Sequence, residues 1–330
     1  MTSTLALALL EIVAGFVLLI WAADRLITGA SALARNLGVS PLIVGLTIVG
    51  FGTSAPEMLV SAMASVRGAP SLAIGNAIGS NIANIGLILG ITALIYPLKV
   101  ESVTLRREFP VLAVIMILSL GLMLNLSLSR VDGMVLALGL LAVVGGMIYL
   151  GVRSEGSDPM AASLTEEVPE GVTTKAAILW TLLGMVLLPL SAHILVEGAV
   201  TLAGILGVSD ALIGLTVIAF GTSLPELAAA AACALKKEDD LAIGNILGSN
   251  MFNLLGVLGI AALIAPMTIE PVLLYRDVTV MFALTVFLFL VVSRRNGPGL
   301  ITRPAALMML LGFLVYQTVI IHQGLNGGAV

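Results

Sequence analysis

Apolar residues in this chain gather in about ten stretches of 20 residues or more, near 5–35, 41–66, 71–96, 103–125, 131–152, 175–207, 210–235, 241–266, 273–293 and 304–323. A helix of about 20 residues crosses a hydrocarbon core ~30 Å thick, and within that core a helix satisfies its own backbone. Barrel strands would read as ~10-residue segments of alternating polarity, and none occurs. Of the 330 residues, 59% are hydrophobic and 10% are charged, too few charges to solvate a surface in water. The expected fold class is an all-α integral membrane protein with ten transmembrane helices. Membrane lipid is its expected solvent.

The amino-terminal run has no Lys or Arg before Arg25 and contains Glu11. It reads as the first span and not as a cleaved signal peptide. With the amino terminus outside, the cytoplasmic loops collect 11 of the 15 basic residues and the outer loops keep Arg67, Arg130 and Arg276. The positive-inside rule then places both termini outside in a plasma (inner) membrane. Residues 153–174, acidic and hydrophilic over most of their length, form a cytoplasmic linker too short to fold alone. The net charge of −4 and the absence of a basic block give no sign of nucleic acid. The lone Cys233 excludes an internal disulfide and a cysteine metal cluster. No cofactor and no obligate protein partner are expected.

The chain repeats itself at an offset of 169: residues 41–90 align with 210–259 without a gap and with 21 identities. GLT, FGTS, Pro-Glu, LAIGN and GSN recur in order, pairing Glu57 with Glu226 and Asn84 with Asn253. Hydropathy alone would match leucine to leucine, but here small, polar and charged residues match, so the halves share an ancestor. The first half is 1–152 and the second 175–330. Each holds five expected spans, and an odd number reverses the direction of insertion. Inverted five-helix repeats of this kind suit a secondary transporter with a central site between its halves.

In GTSAPE (52–57) and GTSLPE (221–226) a proline interrupts a membrane helix, with hydroxyl residues before it and a carboxylate after it. Pro56 cannot donate an N–H and crowds the carbonyl four residues back, freeing oxygens around Gly52 and Thr53; Pro225 does the same near Gly221 and Thr222. Such carbonyls are tolerated at membrane depth where they line a polar cavity or bind an ion. With Ser54, Ser223 and the two glutamates they offer oxygen only, which suits hard cations such as Ca²⁺ or Na⁺ and not Zn²⁺ or copper. GNxxGSNxxN (75–84 and 244–253) adds Ser80 and Asn84, and Ser249 and Asn253, each pair four apart on one helix face. Its glycines allow another helix to approach closely.

A packing reading accounts for the small residues, and hydroxyls in membrane helices often bond their own backbone. It does not account for two mid-membrane glutamates, each costing at least ~2.5–3.5 kcal/mol on insertion scales. Asp24 and Arg25 are expected to compensate each other or face a crevice, and His193 and Glu197 to form a local structural pair.

GLTIVGFGTSAPE with IGNAIGSNIAN, and GLTVIAFGTSLPE with IGNILGSNMFN, resemble the α-repeats of the sodium/calcium exchanger family, of prokaryotic type, within the cation/Ca²⁺ exchanger superfamily. The resemblance implies that Glu57 and Glu226 coordinate Ca²⁺ and Na⁺, with the carbonyls of Thr53 and Thr222 completing the calcium site. It implies flanking sodium sites from Ser54, Ser80, Ser223 and Ser249 with backbone oxygens near Gly50 and Ala219, and Asn84 and Asn253 bordering the centre. Potassium-using and some archaeal-type relatives carry Asp where this chain has Asn253, so the chain resembles the potassium-independent branch. The long first and sixth spans are implied to move as gates. Na⁺/Ca²⁺ antiport is the expected function, with H⁺/Ca²⁺ antiport on the same scaffold as the rival. An intramembrane enzyme lacks a metal motif or an activated nucleophile here, and a channel does not call for gating helices around a closed cage.

Overall fold

The computed structural model of the protein describes residues 2–39, 41–68, 70–100, 102–153, 172–206, 221–293 and 299–325. Among these, eight helices are long and apolar enough to cross a membrane: Thr4–Leu37, Leu42–Val66, Leu72–Ile95, Arg130–Tyr149, Thr174–Leu202, Asp239–Ile264, Leu273–Val292 and Arg303–Gln323. They coincide with eight of the ten expected spans. The fourth expected span is occupied by helix Ser102–Met123, whose described apolar part is shorter. The seventh lies partly outside the described residues, and its remainder is helix Leu224–Lys236.

In chain order the helices are α1 (Thr2–Leu37), α2 (Pro41–Val44), α3 (Gly50–Val66), α4 (Pro70–Ala83), α5 (Gly90–Ile95), α6 (Ser102–Met123), α7 (Arg130–Arg153), α8 (Thr174–Ile205), α9 (Leu224–Lys236), α10 (Asp239–Phe252), α11 (Leu258–Ile264), α12 (Thr279–Val292) and α13 (Arg303–Leu325). Among the described residues, four π-helical segments, Gly45–Val49, Asn84–Leu89, Asn253–Val257 and Leu273–Val278, adjoin α-helices within single spans. Two of them begin at Asn84 and Asn253, the same position of the repeat.

Burial separates a core from a rim. The spans Leu72–Ile95 and Asp239–Ile264 bury 78% and 89% of their most apolar windows, whereas Arg130–Tyr149 buries 17%. Exposed Leu10, Val17, Leu138, Leu182, Leu290 and Val315 give the rim an apolar outer surface, which only lipid solvates.

Helices α1 and α8 form an antiparallel pair whose contacts are reciprocal under the offset of 169. A Cβ on Gly15 would sit 2.7 Å from the Leu195 nitrogen, and one on Gly184 would sit 2.7 Å from Leu26 Cα; Gly15 matches Gly184, and Leu26 matches Leu195. Close backbone approach through glycine is how membrane helices gain packing without a hydrophobic drive. Gly45 and Gly244 allow the same approach inside the core, where a Cβ on Gly45 would meet the Leu241 carbonyl at 2.8 Å.

Among the described residues, two short antiparallel ladders tie the halves together. Strand β1 (Leu98–Val100), just before α6, pairs with β4 (Gly299–Ile301), which follows α12. Strand β2 (Ser127–Leu128), after α6, pairs with β3 (Met267–Thr268), which precedes the π-helical start of the ninth expected span. The start of α6 therefore lies beside the end of α12, and these repeat mates run in opposite directions. Helices α3 and α9 also end alike: Gly68 and its mate Lys237 both take left-handed backbone, at φ 71° and 58°. Glycine adopts that geometry freely, and a side chain pays roughly 1 kcal/mol for it.

Candidate cation site

The site is assembled from four helices, two from each half. Helix α3 brings Gly50, Thr53, Ser54 and Glu57 to the core, all buried. From α4 come Ser80 and Asn81, with Asn84 opening the π-helical segment behind them. Ser223 is the amino-terminal cap of α9 and Glu226 lies in its first turn. Asn245, Ser249 and Asn250 lie on α10, and Asn253 follows it.

Thr53 is the junction between halves. Its hydroxyl lies 3.1 Å from Asn245 Oδ1, 3.2 Å from Ser249 Oγ and 3.4 Å from the Gly50 carbonyl, and it also reaches the Glu226 carboxylate. A second bridge runs from Asn84 Nδ2 to Asn250 Oδ1 at 3.0 Å. Asn76 Nδ2 supports Glu57 from beneath, donating to its main-chain carbonyl at 3.1 Å and to Ser61 Oγ at 2.9 Å. That first bond takes up the carbonyl of the residue that directly follows Pro56.

Glu57 and Glu226 are 1% and 2% exposed and close enough for their charges to interact. Among the described residues, neither carboxylate meets a Lys, Arg or His. Both oxygens of Glu57, Oε2 of Glu226, Ser54 Oγ and both amide atoms of Asn81 and Asn253 are buried without a hydrogen-bond partner. Two like charges buried without compensation are costly, and oxygen ligands held ready in a dry interior are what a hard cation such as Ca²⁺ requires. The donor set fits such a cation as cargo.

Of the residues singled out by sequence, Thr53, Ser249, Glu226 and Asn84 take part in these cross-half contacts, and Glu57 faces Glu226 closely enough for their charges to interact. Ser54, Ser80, Ser223, Gly50 and Asn253 are buried on the same helices or at their ends, Thr222 is half-buried, and Ala219 lies outside the described residues. Sequence reasoning did not single out Asn76, Asn245, Asn81 and Asn250. The repeat carried the signal, since these are two matched pairs.

A cavity of about 520 Å³ opens beside the site, lined by both motif prolines, Ala55, Val60 and Thr222, and by α8 from Pro189 to Val200. His193 and Glu197 line it as well. The local pair expected between them is not formed; both are exposed. Among the described residues no ion pair joins them. Asp24 is compensated chiefly by Lys236 at 2.8 Å, with Arg25 Nε at 4.0 Å, and the Arg25 guanidinium stacks over Trp180 at 4.6 Å.

A family model described as sodium/calcium exchanger protein matches residues 7–150 and 176–322. The chain is 46% identical over 310 residues to CaxA of Alkalimonas amylolytica, an antiporter by inference, covering 94% of this chain and 97% of that protein. It is 40% identical to the inner membrane protein YrbG of Escherichia coli (strain K12), covering 94% and 95%. A solved structure of the sodium-calcium exchanger NCX_Mj superposes with a TM-score of 0.83 at 29% identity, covering 96% of this chain and 99% of that one. Chemistry, fold and kinship agree: the chain belongs to the sodium/calcium exchanger protein family, and is an integral membrane cation/Ca²⁺ antiporter and not an enzyme.

Proposed function

We propose that the protein exchanges Ca²⁺ for Na⁺ by alternating access, with Glu57 and Glu226 as the shared ligands. The observation that carries this reading is the buried carboxylate pair, unpartnered by any described cationic side chain and enclosed by hydroxyls and amides from both halves. One Ca²⁺ or two Na⁺ neutralise the pair, so the two cargoes compete for one charge. The carbonyls of Thr53 and Thr222 complete the calcium position in this reading. Ser54, Ser80, Ser223 and Ser249, with backbone oxygens at Gly50 and Ala219, flank it for Na⁺, and Asn84 and Asn253 border the centre. Neutral hydroxyls beside the carboxylates favour a bound metal ion over a bare proton.

The halves, 1–152 and 175–330, act as inverted five-helix repeats in a ten-helix whole joined by the cytoplasmic linker 153–174. Reciprocal strand pairing and the opposed directions of α6 and α12 support that arrangement. The excess of basic residues in alternate loops supports termini outside. On this topology the 520 Å³ cavity faces outward, and α1 with α8 is the moving gate. The likeness to NCX_Mj and the inner membrane protein YrbG supports both the cargo and the membrane.

The test is ⁴⁵Ca²⁺ uptake by the purified protein in sealed vesicles, driven by an imposed Na⁺ gradient or by a pH gradient. Uptake with the Na⁺ gradient alone is expected. Uptake driven by the pH gradient and indifferent to Na⁺ would overturn Na⁺ coupling in favour of H⁺/Ca²⁺ exchange.

A further inference from the structure

The repeat extends past its motifs into the gating helices: residues 18–40 and 187–209, at the same offset of 169, share 12 identities. At this offset Asp24 matches His193, Thr28 matches Glu197, and Lys236 matches Arg67. In the first set the three residues meet. Lys236 Nζ at the end of α9 lies 2.8 Å from Asp24 Oδ1 and donates to Thr28 Oγ1 at 3.0 Å, fastening α1 to the core. In the second set no ion pair joins the three residues among those described. His193 and Glu197 face the cavity, and Arg67, the cap at the end of α3, is exposed, with no ion-pair partner for Arg67 or Glu197 among the described residues.

We infer that Arg67 and Glu197 form a second latch, which closes the outer cavity when the inner latch of Lys236 with Asp24 opens. Alternating access moves one repeat against the other around a fixed site, and on this reading the halves exchange conformations, so that positions 67, 193 and 197 acquire the geometry that 236, 24 and 28 have here. The acidic residue changes place within the pair, from the first position (Asp24) to the second (Glu197). The two positions are four apart on one helix face, so a long cationic side chain reaches either. The chemistry is conserved in kind: a flexible cation at the end of a core helix engages a carboxylate on a gate helix. The inference rests on the alternating-access reading above and adds its gate residues.

The test reads access directly. In a Cys233→Ala background, Val60→Cys places a thiol in the cavity lining, and an impermeant maleimide applied from that side measures how often the cavity is open. Asp24→Asn is expected to slow labelling and Glu197→Gln to speed it, each by about two- to fivefold, the worth of one partly exposed ion pair. Arg67→Glu combined with Glu197→Arg should return the rate to that of the parent, while either reversal alone should not. Labelling that none of these changes shifts, or additive effects of Arg67→Glu and Glu197→Arg, would overturn the latch. ⁴⁵Ca²⁺ exchange is measured in the same vesicles. Normal exchange with unshifted labelling removes the latch alone, whereas shifted labelling without gradient-driven exchange upholds the latch and removes the antiport reading.

Discussion

The two copies of GTSxPE share their chemistry and differ in shape. In the first half α3 runs unbroken from Gly50 to Val66, with Pro56 in its interior. In the second half α9 begins only at Leu224, so Pro225 and Glu226 occupy its first turn, and Thr222 and Ser223 form the turn before it. A proline inside a helix costs about 3 kcal/mol, whereas a proline in the first turn costs almost nothing because its missing N–H had no partner there. One sequence therefore stands in two settings within one molecule. The motif permits both shapes, and packing selects between them: α8 presents Met185 to Gly52, where a Cβ would lie 2.7 Å from Met185 Cγ, and Val196 to Gly221. A helix touching both motifs is placed to make their shapes interdependent.

The largest expected effect asks whether the difference in shape is also a difference in role. Glu57→Gln and Glu226→Gln should each reduce Na⁺-driven Ca²⁺ exchange at least ~100-fold, because removing one partner of a buried charge arrangement costs several kcal/mol. Both variants should remain folded, since a neutral amide is easier to keep in the membrane than a carboxylate. Near-normal flux in either one would show that the halves do not contribute equally and would break the site assignment.

A middle-sized effect separates shape from cycle. Pro56→Ala restores an N–H in the interior of α3 and should stabilise the protein in detergent by about 1–3 kcal/mol, read as a higher melting temperature. Pro225→Ala, at a first-turn position, should change stability by less than about 0.5 kcal/mol. If each half visits both shapes during transport, both variants should still slow exchange by a similar factor, about three- to tenfold. A transport defect confined to Pro56→Ala would mean that the halves do not trade conformations.

How far the sequence foretells this molecule depends on the kind of contact. The spans were legible because lipid permits only long apolar helices, and Glu57 and Glu226 because a matched pair of membrane carboxylates has no packing explanation. The amides were harder. Asn76, Asn81, Asn245 and Asn250 stand inside matched motifs, but the partners that define them, such as Thr53 for Asn245, come from the opposite half, 192 residues away. Glu108 and Asp277 are likewise matched at the offset of 169 and were passed over by the sequence reading, yet they are 1% and 3% exposed. Asp277 accepts from Arg276 and from the Tyr316 hydroxyl at 3.0 Å, bracing the ninth expected span against α13. The π-helical starts at Asn84 and Asn253 leave no local signature, because one extra residue in a turn depends on what the neighbouring helices can accommodate. His193 and Glu197 have the spacing of a pair and do not form one, since spacing gives opportunity and the surroundings of α8 decide.

The smallest expected effect concerns the matched amides Asn84 and Asn253, which differ as the prolines do. Asn84 donates to Asn250 Oδ1 at 3.0 Å, while both amide atoms of Asn253 are buried without a partner. Asn84→Asp therefore sets a carboxylate oxygen against an amide oxygen and should destabilise the protein by about 1–3 kcal/mol. Asn253→Asp breaks no hydrogen bond and should fold normally, but it adds a third carboxylate to a centre that one Ca²⁺ neutralises. The extra charge must take up a proton or recruit another cation, because like charges held close together in a dry site repel. Wild-type exchange should accordingly change less than about twofold when choline replaces K⁺, whereas the Asn253→Asp variant should respond to K⁺ or to pH by more than that. Na⁺-driven ⁴⁵Ca²⁺ uptake at several pH values, with and without K⁺, measures both. A wild-type protein that stalls without K⁺ would overturn the reading of Asn253 as the neutral position, and an Asp variant indifferent to both ions would place residue 253 outside the centre.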